Sequence, residues 1–266
     1  MHLIFAIGLI LVLILVYEID RYLPNRISIS LVVFLSALLI PTWIQEDLSI
    51  FNYVKLASVI LASIIFDIIS IQTSYPIKPE DSDKKIPKMY LAVYVLLIIN
   101  IAEAVIFGLV KEQYVNAITG SLLILCAPSY QSVRTEYSSD LRTLITYKVS
   151  FLWILTYTVW NYSFIYSNWG AVGALWHLSI LIAPILVCFY RGAKYWLRAR
   201  LTTLCVFLML YYTFPSFFRA NFDGGYLHSE NIEVVIVCIG FALAIILSLS
   251  VFARNHYNRG SPDNPV

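Results

Sequence analysis

Charge is scarce in this sequence. Asp, Glu, Lys and Arg make up 13% of its 266 residues, where a soluble domain carries about 25%. The chain is 60% hydrophobic, with a mean hydropathy of +0.78, so most of it is built for lipid rather than water. The longest connection between apolar runs, residues 74–88, is too short to fold as a soluble domain. A net charge of +2 offers no basic stripe for nucleic acid. Residues 1–266 read as a single integral-membrane helical domain.

Reactive motifs are also missing. There is no CxxC, and Cys126, Cys188, Cys205 and Cys238 all fall within apolar runs, where thiols act as small hydrophobes. GxSxG, HExxH and a phosphate loop are absent, which removes the hydrolase, zinc-protease and nucleotide readings that rest on them. No apolar run holds two histidines, so haem and clustered zinc have no ligands, and the last run has no lysine for a retinal Schiff base. No metal or cofactor is expected. The N-terminal stretch "MHLIFAIGLILVLILVYEIDRYLPNR" has no basic n-region and no small-residue cleavage site, so a retained first helix is expected.

What the sequence does have is long apolar runs. Nine are long enough to cross a bilayer: roughly 3–19, 27–45, 51–73, 89–110, 114–132, 143–165, 169–190, 195–217 and 231–253. The fifth is weakest, holding Asn116, Gly120 and Pro128. It spans or re-enters, giving nine helices or eight. Basic residues choose the topology. With the N-terminus outside and nine crossings, one side receives Arg21, Arg26, Lys78, Lys84, Lys85, Lys88, Arg134, Arg142, Arg191, Lys194, Arg198, Arg200, Arg254 and Arg259. The other receives Lys55, Lys111 and Arg219. The expectation is an all-α polytopic protein with its C-terminus in the cytoplasm. Trp43, Trp169, Tyr190, Tyr195, Trp196, Tyr211 and Tyr212 sit near helix ends, as in an interfacial belt. "TSYPIKPEDSDKKIPK" reads as a solvated loop whose Glu80, Asp81 and Asp83 lack calcium-loop spacing, and Asp223-Gly224-Gly225 as a turn.

Polar residues inside the runs need a reason, because a charge at the bilayer centre costs about 2.5–3.5 kcal/mol on insertion scales. Glu103 lies about 21 Å above the basic side, counting from Met89. Tyr157 and His177 fall at the same level. Asn100 and Glu103 share one stripe, as do Trp153, Tyr157 and Asn161, and Gly170, Gly173 and His177. The expected substrate- or ion-binding pocket, in the outer half, contains Asn100, Glu103, Tyr157, Asn161 and His177, with Tyr166 and Trp160 near its mouth. The plain alternative is interhelical hydrogen bonding, worth about 0.6 kcal/mol per contact. Glu103 is hardest to explain that way. In apolar surroundings its carboxyl would favour the protonated form, opposed by a protonated His177. Pro184 frees the carbonyl of Ile180. A second layer near the basic side holds Glu18, Asp20, Asp67 and Lys148, with Lys148 expected to pair with Asp67 or Glu18 structurally. The basic run "YRGAKYWLRAR" reads as topology setting, and the sequon at Asn161 to Ser163 as chance within a helix.

"YEIDRY", "NIAEA", "WNYSFIYSNWG" and "RARLTTLCVFLMLYYTFPSF" resemble a bacterial family of multi-pass membrane proteins with no assigned function. The likeness is strongest around Glu18, Asn100, Glu103, Trp160, Asn161, Tyr166 and Pro215. It implies an all-helical protein of a bacterial inner membrane, with no catalytic roles to carry over. The expected function is a transporter or channel-like protein for a small solute, ion or proton, with Glu103, alone or with His177, carrying the charge. An embedded enzyme acting on a lipid or isoprenoid, and a sensor or immunity-type binding protein, are the alternatives. The expected partners are membrane lipids and a small molecule, ion or proton.

Overall fold

The computed structural model describes residues 2–46, 48–74, 79–139, 142–222 and 229–260. In chain order the elements are α1 (His2–Tyr22), α2 (Asn25–Gln45), α3 (Ile50–Ser74), α4 (Pro79–Val110), α5 (Tyr114–Leu125), β1 (Val133–Ser139), β2 (Arg142–Tyr147), α6 (Phe151–Arg191), α7 (Trp196–Thr213), α8 (Pro215–Asn221) and α9 (Glu230–Gly260). Six helical stretches are long and apolar enough to cross a membrane, and a seventh if α7 and α8, bent by 98°, count as one. The chain is a helical, multi-pass membrane protein.

Burial follows the lipid logic. In α1 one stripe, Ala6, Leu9, Leu13, Tyr17 and Arg21, faces the protein, while Leu3, Ile4, Ile7, Leu11 and Leu15 are exposed. Such a surface is costly in water and suited to hydrocarbon. α6 and α7 form the centre, and in α7 nearly every turn is buried on all sides.

The long α6 is two helices. Gly170 adopts φ 54°, ψ −144°, a conformation open to glycine and strained for other residues. Asn161 and His177 lie sixteen residues apart, about 24 Å along a straight helix. Their side chains nevertheless meet at 2.6 Å. Phe151 and Phe189, near the two ends, bring their rings within 5.6 Å. The two limbs therefore run antiparallel about Gly170.

Two expected runs change shape. The run 143–165 begins as a strand. The sequence Thr143 to Thr146, in which three of the four residues are β-branched, favours extended backbone and pairs antiparallel with β1 from Val133 opposite Tyr147 onward. The helix starts only at Phe151, capped by Ser150, whose Oγ accepts from the Trp153 N–H at 3.2 Å. The all-α expectation thus gains a β-hairpin. The run 114–132 is helical only to Leu125, 12 residues or about 18 Å, because the residue before Pro128 disfavours helix. α5 is fastened to α6 through its backbone: Trp160 Nε1 donates to the Asn116 carbonyl at 2.9 Å and Trp153 Nε1 to that of Leu123 at 3.1 Å. Gly120 permits the approach, since a Cβ there would meet the Trp160 ring at 2.7 Å. The expected loop before the fourth run is helical from Pro79, a proline suited to a first turn. The side chains of Glu80, Asp81 and Asp83, and Lys78 and Asp223-Gly224-Gly225 entirely, lie outside the described residues.

The hairpin closes the end of the bundle where basic residues gather. All six residues of β2 are buried. Asn25 acts as a neighbouring strand would, donating from Nδ2 to the Thr143 carbonyl at 2.9 Å and accepting the Thr143 N–H at 3.1 Å. Beneath it, Arg142 and Arg198 bind Asp20 at 3.0 and 2.8 Å and Asp67 at 3.2 and 3.0 Å. Burial, and then Arg198, pull the Arg142 guanidinium below its ordinary value, while both aspartates pull it back. It stays charged, as Arg does throughout proteins. The expected partner for Asp67 is corrected: Lys148 is exposed because it follows a strand, not a helical turn. Glu18 pairs instead with Arg21 and Arg191.

Candidate functional site

Two adjoining chambers lie among α3, α4, α6 and α7. They share Asn100, Glu103, Arg200 and Leu204. With the open space at their mouths, they measure about 690 and 860 Å³, in the usual range for ligand pockets of about 300–1,000 Å³. The five residues expected within the pocket line them: Asn100 and Glu103 from α4, Tyr157 and Asn161 from the first limb of α6, and His177 from the second. Tyr166 does not; its hydroxyl accepts the Ser229 N–H at 2.9 Å. Trp160, expected near the mouth, is buried against α5.

The contacts differ from those expected. Glu103 is held by Lys55, Nζ to Oε2 2.9 Å, so it does not stand alone in apolar surroundings. His177 meets Asn161 instead, Nε2 to Oδ1 2.6 Å. An amide oxygen only accepts, so Nε2 carries the hydrogen and Nδ1 of the neutral ring holds a lone pair.

The unbalanced charge in the cavity comes from the basic run that the sequence alone marks as topology setting. Arg200 is 5% exposed. Its Nη1 donates to the Ile180 carbonyl at 3.3 Å, the group that Pro184 leaves without an intrahelical partner. Its Nη2 lies 3.5 Å from Asn161 Oδ1. Among the described residues, Arg200 has no carboxylate at ion-pairing distance. Lys55 and Glu103 cancel, leaving the cavity one positive charge in excess. Three residues that line the same chamber also carry a fully buried polar atom with no partner among the described residues: Arg200 Nε, His177 Nδ1 and Trp176 Nε1. Each such atom costs about 1–3 kcal/mol unless something fills the space.

Sequence signals for the missed residues existed. Lys55 lies inside the third apolar run, about 7.5 Å from the start of α3, deeper than a topology-setting charge needs. Arg200 is two residues from Arg198, so the two cannot face the same way in a helix. Asn52, Tyr211 and Tyr212 complete the polar end of the cavity. Among the described residues no cluster of three metal-ligating side chains occurs.

No curated protein and no solved structure matches the chain. A model for a family described as a family of unknown function, DUF5692, matches residues 1–264, and the chain belongs to that family.

Proposed function

We propose that the protein is a solute carrier or channel-like protein of the bacterial inner membrane, and that its substrate is an anion. It crosses the bilayer nine times, with the N-terminus outside and the basic end in the cytoplasm; the one-sided distribution of Lys and Arg supports this. α5 and the first limb of α6 make the two traverses too short or too polar to stand alone. The observation that carries the anion reading is Arg200, a buried guanidinium without a carboxylate in a cavity whose other charges cancel. Glu103 then serves as the counter-charge that steadies Lys55 rather than as the carrier of charge. The hairpin and the Asp20, Asp67, Arg142 and Arg198 group close the cytoplasmic side, so the cavity opens outward.

The test is thermal unfolding of the detergent-purified protein in phosphate or sulfate, against sodium chloride at equal ionic strength. Bound anion stabilises by mass action, so the melting temperature rises in wild type and not in Arg200→Gln. Equal responses in both proteins would remove the anion reading. Anion efflux from proteoliposomes then separates a carrier from a binder. An enzyme acting on a membrane amphiphile is the second reading, favoured by exposed Ser58 and Ile99 on the cavity wall; turnover of lipid without flux would select it.

A further inference from the structure

The geometry points to an anionic amphiphile of the outer leaflet as the ligand, its head against Arg200 and Lys55 and its hydrocarbon tail between α3 and α4. This rests on the anion reading above and adds the class of molecule. The two chambers differ in chemistry along the bundle axis. The one nearer the start of α3 holds Lys55, Asn161, Trp176, His177 and Tyr211. The other is walled by Val59, Ala62, Phe66, Leu96 and Leu97 and has almost no polar surface apart from the groups the two share. Polar above and apolar below is the order of a lipid in that leaflet.

The dimensions agree. From Lys55 to Phe66 is about 16 Å along α3, and from Glu103 to Leu96 about 10 Å along α4. One leaflet contributes about 15 Å of hydrocarbon. The apolar chamber also opens sideways: Ser58 of α3 and Ile99 of α4 both line it and both are exposed, so a tail can enter from the bilayer without crossing water. At its floor lie Tyr157 and Trp196, stacked edge to face at 4.9 Å.

A soluble anion would use the polar chamber alone. It would leave the apolar chamber, which opens to the bilayer, to whatever acyl chain enters beside it. An amphiphile fills both chambers. Its acidic head balances the excess positive charge of Arg200, which lines both chambers and is 5% exposed. A zwitterionic head would set a second cation beside Lys55.

The experiment offers the full-length protein in detergent an equimolar mixture of phosphatidylglycerol and phosphatidylcholine with identical acyl chains, and reads retained lipid by native mass spectrometry. Wild type is expected to favour the anionic lipid about tenfold, the worth of one charged hydrogen bond. Arg200→Gln should lose the preference. Ala62→Phe, which fills the apolar chamber from half-exposed α3, should lose retained lipid while keeping the thermal response to inorganic phosphate. If Arg200→Gln does not fold, Arg200→Lys keeps the charge but loses the fork and should weaken the preference. Phosphate stabilising both wild type and Ala62→Phe, with no lipid preference, overturns the amphiphile and spares the anion reading. No response to either probe overturns both. A preference that survives Arg200→Gln or Ala62→Phe belongs to the outer surface and overturns the site.

Discussion

Arg198 and Arg200 are neighbours in α7, about 200° apart around its axis, and they belong to two buried groups of opposite character. Arg198 joins Arg142, Asp20 and Asp67, two cations against two anions, wedged among α1, α3, α7 and the hairpin. Arg200 looks into a cavity where Lys55 and Glu103 already cancel, and its own contacts are a carbonyl and an amide. Buried charge alone does not separate a structural cluster from a binding site. Charge balance does: each group leaves buried nitrogens without a hydrogen-bond partner, Arg142 Nε and Arg198 Nε in the first and Arg200 Nε in the second, but the charges of the first group cancel and the second is left with one positive charge.

Removing a member of the balanced group should have the largest effect. Asp67→Ala leaves two guanidiniums against one carboxylate and should cost about 3–5 kcal/mol. The expected result is loss of the monodisperse peak in fluorescence-detected size exclusion; a wild-type melt would mean that water enters the cluster. Arg200→Met should act in the opposite direction, raising stability by about 1 kcal/mol in ligand-free detergent. A fall of similar size would show that Arg200 is structural, like Arg198, and would erase the contrast.

The Lys55–Glu103 pair is partly exposed, 21% and 28% by side chain, so it should contribute less. Glu103→Gln and Lys55→Met, with the double variant, should give a coupling of about 0.5–1 kcal/mol. Glu103→Gln should fold. If Glu103→Leu folds better than Glu103→Gln, the carboxylate is no more than packing. Lys148→Ala should change the melt by less than about 0.5 kcal/mol. A larger loss would restore the pairing with Asp67 or Glu18 that the strand β2 removed.

Much of the candidate site could be read from spacing and depth. Constant helical rise puts Glu103, Tyr157 and His177 at one expected level, and the helical period adds Asn100 and Asn161 through shared faces. Their partners could not be read so. Asn161 reaches His177 only because Gly170 turns α6 back on itself. Lys55 reaches Glu103 only because α3 and α4 part enough to leave a cavity yet remain within a side chain's length. Arg200 resembled its basic neighbours in the sequence, and which of them faced inward depended on the packing of α7.

The sequence by itself determined the apolar solvent and the long apolar runs that meet it, since both follow from local composition and the geometry of one helix. Only the tertiary structure decided that a strand closes the basic end, that Asp67 answers to two arginines, and that one arginine is left over in a cavity. Those depend on distances between segments far apart in the chain, which hydropathy and period do not carry.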